Sequence, residues 1–299
     1  MRRLCCLAFL LLVGCMPKMG NPAALITDER IIGVRADPAE AGPGDTVQYA
    51  SLVASPSGTV ETPNLSWSLC KLREPVSENT PVSQACLTET LTKSAQGQDA
   101  SIPTPSAACV NFGPLAPPSS SGTLRPTDPD ATGGYYQPIR LDLDAQQAIF
   151  RERLHCDLAG ASLLLSQEFR ASYTINQNPT LVSLTALVDQ PPAALDSLPA
   201  GQRVHFVATW SSDSAESYPV FDSSSQTLVQ HREALWLSWF VTAGAFDDSI
   251  TGRDESDAAD WTENMWTSPA TAGIVFLWLV LHDSRGGADF ASYSLTVVP

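Results

Sequence analysis

Gly44-Asp45-Thr46-Val47-Gln48-Tyr49-Ala50 and Gly201-Gln202-Arg203-Val204-His205-Phe206-Val207 share one spacing. Each has Gly, then Val three residues on, a polar residue and an aromatic. Side chains alternate across a strand, so a period of two puts Val47 and Tyr49, and Ser51 beyond them, on one face. A second pair repeats as well: Leu65-Ser66-Trp67 returns as Leu237-Ser238-Trp239. Leu65, Trp67 and Leu69 alternate with Ser66 and Ser68, which reads as a half-buried strand rather than a helix start. The doubled spacing is a weak internal repeat, and it predicts two strand-rich units of one kind in tandem.

Working outward, the turns agree. Asp37-Pro38-Ala39-Glu40-Ala41-Gly42-Pro43-Gly44-Asp45 separates Ile31-Ile32-Gly33-Val34 from the run Thr46 to Val53. Proline cannot donate to a strand ladder and glycine weakens one, so the first strand ends there. In the second half Val182 to Ala186 leads into Pro191-Pro192. Ile274 to His282 and Phe290 to Val298 flank Asp283-Ser284-Arg285-Gly286-Gly287, a hairpin by composition. From Arg30 to Cys70 the order is strand, Pro/Gly/Asp turn, Gly-Asp-Thr-Val strand entry and Trp-bearing strand. It resembles the opening of immunoglobulin-like sandwiches in bacterial surface proteins. The resemblance implies an all-β fold of two tandem immunoglobulin-like β-sandwiches. One departure stands out: antibody-type domains carry a cysteine on the strand before the tryptophan, and this chain has none there.

Residues 71–160 read as a long irregular insertion in the first sandwich, rich in proline and serine. Cys70, Cys86, Cys109 and Cys156 lie at its edge or inside it. An even number of cysteines in an exported chain reads as two disulfides, with three connectivities open; we favour Cys70–Cys86 with Cys109–Cys156. No C-x₂₋₄-C pair supports zinc. Asp144 to Leu154 is the best helix candidate, with Asp144 as its cap and Ala145, Ala148 and Ile149 at helical spacing. Ser162 to Thr174 reads as strand. Asn176-Gln177-Asn178-Pro179 marks the domain boundary, giving a first domain over 29–178 and a second over 179–299.

At the N-terminus Arg2 and Arg3 precede the apolar run Leu4 to Val13. A membrane span needs about 20 apolar residues, so this is a signal peptide. It ends in Leu12-Val13-Gly14-Cys15, which resembles the lipobox of bacterial lipoproteins. That resemblance implies a signal peptide over 1–14, diacylglycerol (with an acylated, palmitate-type amine) on Cys15, and a tether over 15–28. Met16 rather than Asp after the cysteine implies the outer membrane. The predicted partners are therefore the membrane, through the lipid on Cys15, and an unknown protein or glycan.

The chain carries 17 basic and 32 acidic residues, a formal charge of −15. Phosphate backbones need Lys and Arg, so nucleic acid is excluded as a partner. Two acidic stretches invite a cation. In Arg125 to Tyr136, Gly133 falls sixth counting from Asp128, but Ile139 stands where an EF-hand needs its twelfth-place acid. That stretch reads as a turn presenting Tyr135 and Tyr136. Asp254, Asp257, Asp260 and Glu263 read as a solvated face, and Trp261 and Trp266 beside them as core residues. No metal or other cofactor is expected. His155, His205, His231 and His282 lie in no metal or nucleophile pattern, and no G-x-S-x-G elbow or P-loop occurs. The expected role is non-catalytic, binding or structural. The competing class is a hydrolase acting outside the cytoplasm, its site assembled from distant residues.

Overall fold

The computed structural model describes residues 23–72, 82–113, 132–144, 146–188 and 192–299. The first unit contains β1 (Arg30–Asp37), β2 (Glu40–Ala41), β3 (Thr46–Ser55), β4 (Gly58–Thr59), β5 (Leu65–Leu69), β6 (Ala95–Gln96), β7 (Asp99–Pro103), β8 (Gly134–Leu143) and β9 (Gln146–His155). Short helices α1 (Ala85–Thr88) and α2 (Ala108–Phe112) lie between these strands, and α3 (Leu163–Ser172) follows them. The second unit contains β10 (Leu181–Leu187), β11 (Pro192–Ala193), β12 (Leu198–Pro199), β13 (Arg203–Trp210), β14 (Ser217–Asp222) and β15 (Thr227–Arg232). It continues through β16 (Leu235–Val241), β17 (Ala245–Phe246), β18 (Ile250–Arg253), β19 (Trp261–Thr267), β20 (Gly273–Asp283) and β21 (Ala288–Val298).

The two units use one strand order. In the first, β3 lies between β1 and β7, and the facing sheet runs β2-β9-β8-β5-β6. In the second, β10-β13-β19 form the core of one sheet, and the facing sheet runs β12-β21-β20-β16-β18. In both, a two-residue strand pairs in parallel with the last long strand: β2 on β9 and β12 on β21. The repeated sequence spacings fall on equivalent strands, β3 with β13 and β5 with β16. Trp67 and Trp239 are both fully buried between their sheets. Each indole finds a local acceptor: Nε1 of Trp67 donates to Gly97 O at 2.8 Å, and Nε1 of Trp239 to Thr251 Oγ1 at 2.9 Å. A buried indole N–H left unpaired would be costly, so each partner fixes its ring. The fold is all-β, two tandem immunoglobulin-like β-sandwiches.

Four readings change. Residues 71–160 are not one irregular insertion, because β6 to β9 fall within them and β8 and β9 are central strands of the first sandwich. The helix expected over Asp144 to Leu154 is instead β9. Asp144 takes a left-handed φ of 49° at a tight turn where Leu143 pairs with Gln146. Ala148 and Phe150 then pack on the core while Ile149 faces outward, the alternation of a strand with a partner at hand. Ser162 to Thr174, expected as strand, holds α3, with the Ser162 hydroxyl capping Leu165 N at 3.2 Å. Its exposed Leu163 and Leu164 disguise the pattern, since only Phe169 is buried. Finally, the end of the expected tether is fixed. Ala24 and Ile26 are buried, and Ile26 N donates to Val241 O at 2.8 Å while Val241 N donates to Ala24 O at 2.9 Å. Residues before the first sandwich are thus paired with the second.

Candidate functional site: the junction of the two sandwiches

The outer face of β1 and β3 packs on the outer face of β16, β20 and β21. Leu52, Ala54, Ile32 and the N-terminal Ile26 meet Trp278, Val280, Phe240, Phe276 and Phe290. Trp278 Nε1 donates across the junction to Thr59 Oγ1 at 2.8 Å. The local cause is readable. In β3 the pattern alternates at first and then runs buried from Ser51 to Ser55, as a strand covered on both faces does. In β20, Val275, Leu277, Leu279 and Leu281 fill the sandwich core while Phe276, Trp278 and Val280 point to the first unit.

Beside this apolar seam lies a buried ionic cluster that joins β2, β9, the connector and the β20–β21 turn. Glu40 on β2 lies 3.3 Å from the Arg153 guanidinium of β9, both fully buried. The Tyr173 hydroxyl donates to Glu40 at 2.6 Å, and Asn176 N donates to its other oxygen at 3.0 Å. Asn176 lies 3.4 Å from both carboxylate oxygens of Asp283. Arg285 Nε donates to Glu233 at 2.6 Å, its NH2 to Glu216 at 2.5 Å and its NH1 to Thr174 O at 2.8 Å. The same guanidinium stacks 4.6 Å from the Tyr218 ring. Asp283 accepts from Arg285 N at 2.8 Å and Gly287 N at 2.9 Å, which shapes the turn. Two glycines make room: a side chain at 134 would collide with Arg153, and one at 287 with Asp283.

Burial decides the electrostatics here. It pushes Glu233 up to about 7, helped by the Asp283 charge and opposed by Arg285. Burial likewise raises Asp283 and Glu216 above the ordinary carboxylate range. Nearby in the first core, Glu152 is raised by burial and by the Glu40 charge.

Of the residues singled out by sequence, Cys15 lies outside the described residues, as do 125–131. Cys70 is joined to Cys86 and Cys109 to Cys156, with Cα separations of 5.6 and 5.7 Å. Tyr135 is buried rather than presented to solvent, whereas Tyr136 is half-buried and its hydroxyl accepts from Arg153 at 3.2 Å. Asp254 closes a loop turn by accepting from the Ser256 hydroxyl at 2.6 Å and from Ser256 N at 2.9 Å, which hold its carboxyl below its ordinary value. Asp257 pairs with Arg253 at 3.1 Å. Trp266 is a core residue, but Trp261 is exposed, under the Arg253 guanidinium at 4.5 Å. The histidines sit apart. His205 pairs with Glu263 at 2.9 Å, His231 pairs with Glu255 at 2.8 Å, and His282 stacks on Trp236; His155 lies beside Gly42. The junction residues themselves were missed by sequence reading. The one signal available was the uninterrupted apolar run Ile274 to Leu281, too continuous for a strand with one wet face.

No protein-family model matches the chain, and no curated protein matches it. Among solved structures it is similar to the D00–D0 domain of intimin, at 10% identity over 91% of this chain and 99% of that one, with a TM-score of 0.26. It is similar to the Yersinia pseudotuberculosis adhesin InvE at 11% identity over 94% of this chain, which spans 62% of that chain, with a TM-score of 0.24. Domains 4 and 5 of the S-layer protein SbsC match at 8% identity over 80% of this chain and 100% of that one, TM-score 0.21. Likeness at that level carries no functional argument. The class is defined by the strand order above: a tandem immunoglobulin-like protein whose two sandwiches are docked face to face.

Proposed function

We propose that this is a lipid-anchored cell-envelope protein of the outer membrane, with a non-catalytic binding or structural role toward a protein or glycan partner. The observation that carries the reading is the state of its buried ionisable groups. Glu40 pairs with Arg153 in the first sandwich, Glu216, Glu233 and Asp283 bind Arg285 in the second, and the connector residues Thr174 and Asn176 bridge the two sets, so their chemistry is architectural. Two of the four histidines pair with exposed carboxylates, one stacks on Trp236 and one lies beside Gly42, whereas acyl transfer uses a histidine as base to a nucleophile within hydrogen-bond reach. Loops at the ends of sandwiches present recognition surfaces without disturbing the core, and exposed Trp261 adds an apolar contact. Anchoring rests on Leu12-Val13-Gly14-Cys15. Crosslinking on intact cells, with and without Cys15→Ser, tests both parts. A discrete partner captured by the wild type and lost on release from the membrane is the expected result. Turnover of an ester, peptide or glycoside substrate that one His→Ala change removes would overturn the non-catalytic reading.

A further inference from the structure

We propose that Glu152 is kept as an uncharged carboxylic acid in the core of the first sandwich, its O–H donating to the Gln137 side-chain carbonyl. Tyr49, Glu152 and Gln137 then form one hydrogen-bonded chain that ends on the Cys70 carbonyl. The placement comes from register. Glu152 of β9 and Gln137 of β8 are direct cross-strand partners, and residues directly opposite each other share a face of the sheet. That face is the core one, because Ala148 and Phe150 on β9, and Ile139 and Leu141 on β8, have the same alternation and pack in the core. Both side chains are buried, Glu152 at 0% exposure and Gln137 at 1%. Tyr49 of β3 meets them from the facing sheet. Its ring centre lies 6.0 Å from that of Phe150, and its hydroxyl faces the Glu152 carboxyl.

The hydrogen bonds leave one gap. The Gln137 amide nitrogen donates to Cys70 O and, at 3.1 Å, to Pro138 O. Two carbonyl acceptors thus fix which end of the amide is nitrogen, and both of its hydrogens are used. The Gln137 carbonyl oxygen has no donor, and neither Glu152 oxygen has one seated on it. Ionised, Glu152 would set acceptor beside acceptor in a dry core, with the Glu40 charge of β2 nearby. The neighbouring guanidinium, Arg153, alternates to the other face of β9 and pairs with Glu40 at 3.3 Å. A buried charge in that position is relieved by taking up a proton. The proton is also the missing donor: one Glu152 oxygen gives it to Gln137, and the other remains to accept from Tyr49. Burial, which raises Glu152 well above the ordinary carboxylate range, agrees with this geometry. The acid thereby positions Gln137, and Gln137 holds the backbone where Cys70 leaves β5 to reach Cys86.

Carbon NMR of the full chain, labelled at the glutamate carboxyl carbons, tests this. At pH 8 one resonance is expected at the position of a protonated acid, and it should vanish in Glu152→Gln. That variant offers the same donor and acceptor through its amide, so the fold should survive it. If every glutamate resonance stands at the carboxylate position at pH 8, Glu152 is ionised, a water or cation fills the gap, and the proposal is overturned. It is equally overturned if the protonated resonance persists in Glu152→Gln. Should that variant fail to fold, Tyr49→Phe decides. Loss of the hydroxyl should shift the protonated resonance, and an unmoved resonance overturns the chain from Tyr49 to Gln137.

Discussion

The two sandwiches own the same sheet, β9-β8-β5 in the first and β21-β20-β16 in the second, and each covers its outer face differently. In the first, the face is closed from within. Cys70–Cys86 folds the following segment back, and Val82, Leu91 and Cys86 pack against Ile149. Arg140 on the same face grips the segment by donating to Cys86 O at 3.0 Å and Glu89 O at 2.9 Å. In the second, the face is aromatic and is closed by the neighbouring sandwich. One fold thus solves one exposure problem twice, covalently in one copy and by docking in the other. A sheet face bearing Phe276, Trp278 and Phe290 would aggregate if left bare. The tandem is therefore a single unit rather than two beads on a string, and the connector residues Tyr173 to Asn178 belong to its interior.

The largest test of that contrast removes the docking charge. In Arg285→Ala, Glu233 and Glu216 stay behind without their cation. Breaking a buried pair from one side costs about 3–5 kcal/mol. Denaturant unfolding should lose that much, and the single transition should separate into two. A loss under about 1 kcal/mol would mean that the cluster is a bystander to docking. Next comes the covalent closure. Replacing Cys70 and Cys86 together by Ser should remove about 3 kcal/mol from the first sandwich. The near-ultraviolet signal of the second, which holds six of the seven tryptophans, should move earlier with it, because a docked pair melts as one cooperative unit. If that signal keeps its midpoint, the two sandwiches melt independently and docking does not join them.

Sequence reading reached the strands that alternate and failed where burial came from outside them. Val47 and Tyr49, and Leu65 with Trp67, declare their faces because each belongs to one sandwich core. Leu52 and Ala54 look like the same core in sequence, yet they serve the other interface. Asp144 is as good a helix cap as a turn residue, and only the partner strand β8 decides between them. Glu40 stands in a Pro/Gly turn, where an acid is expected to be wet. Its burial follows from Arg153 and Tyr173, more than a hundred residues away. Local pattern carries period and turns, whereas a charge cluster gathered from distant segments leaves no spacing to read.

The smallest effect is expected at the rim. Arg35 on β1 meets Asp289 on β21 at 3.3 Å, the arginine 40% exposed and the aspartate 18%. Asp289 also accepts from Leu181 N at 2.9 Å, so it helps to position β10 as well as to face the first sandwich. Water screens the ion pair, and exposed pairs are worth roughly 0.2–1 kcal/mol. The backbone bond belongs to the second sandwich alone. A double-mutant cycle with Arg35→Ala and Asp289→Ala separates the two contributions, because only the coupling between the changes reports the pair. We expect a coupling below about 1 kcal/mol that shrinks in high salt, with the Asp289 change the more damaging of the two. A coupling of about 3 kcal/mol, unaffected by salt, would place the rim inside the dry junction. It would then shift the electrostatic hold on docking from Arg285 toward Arg35.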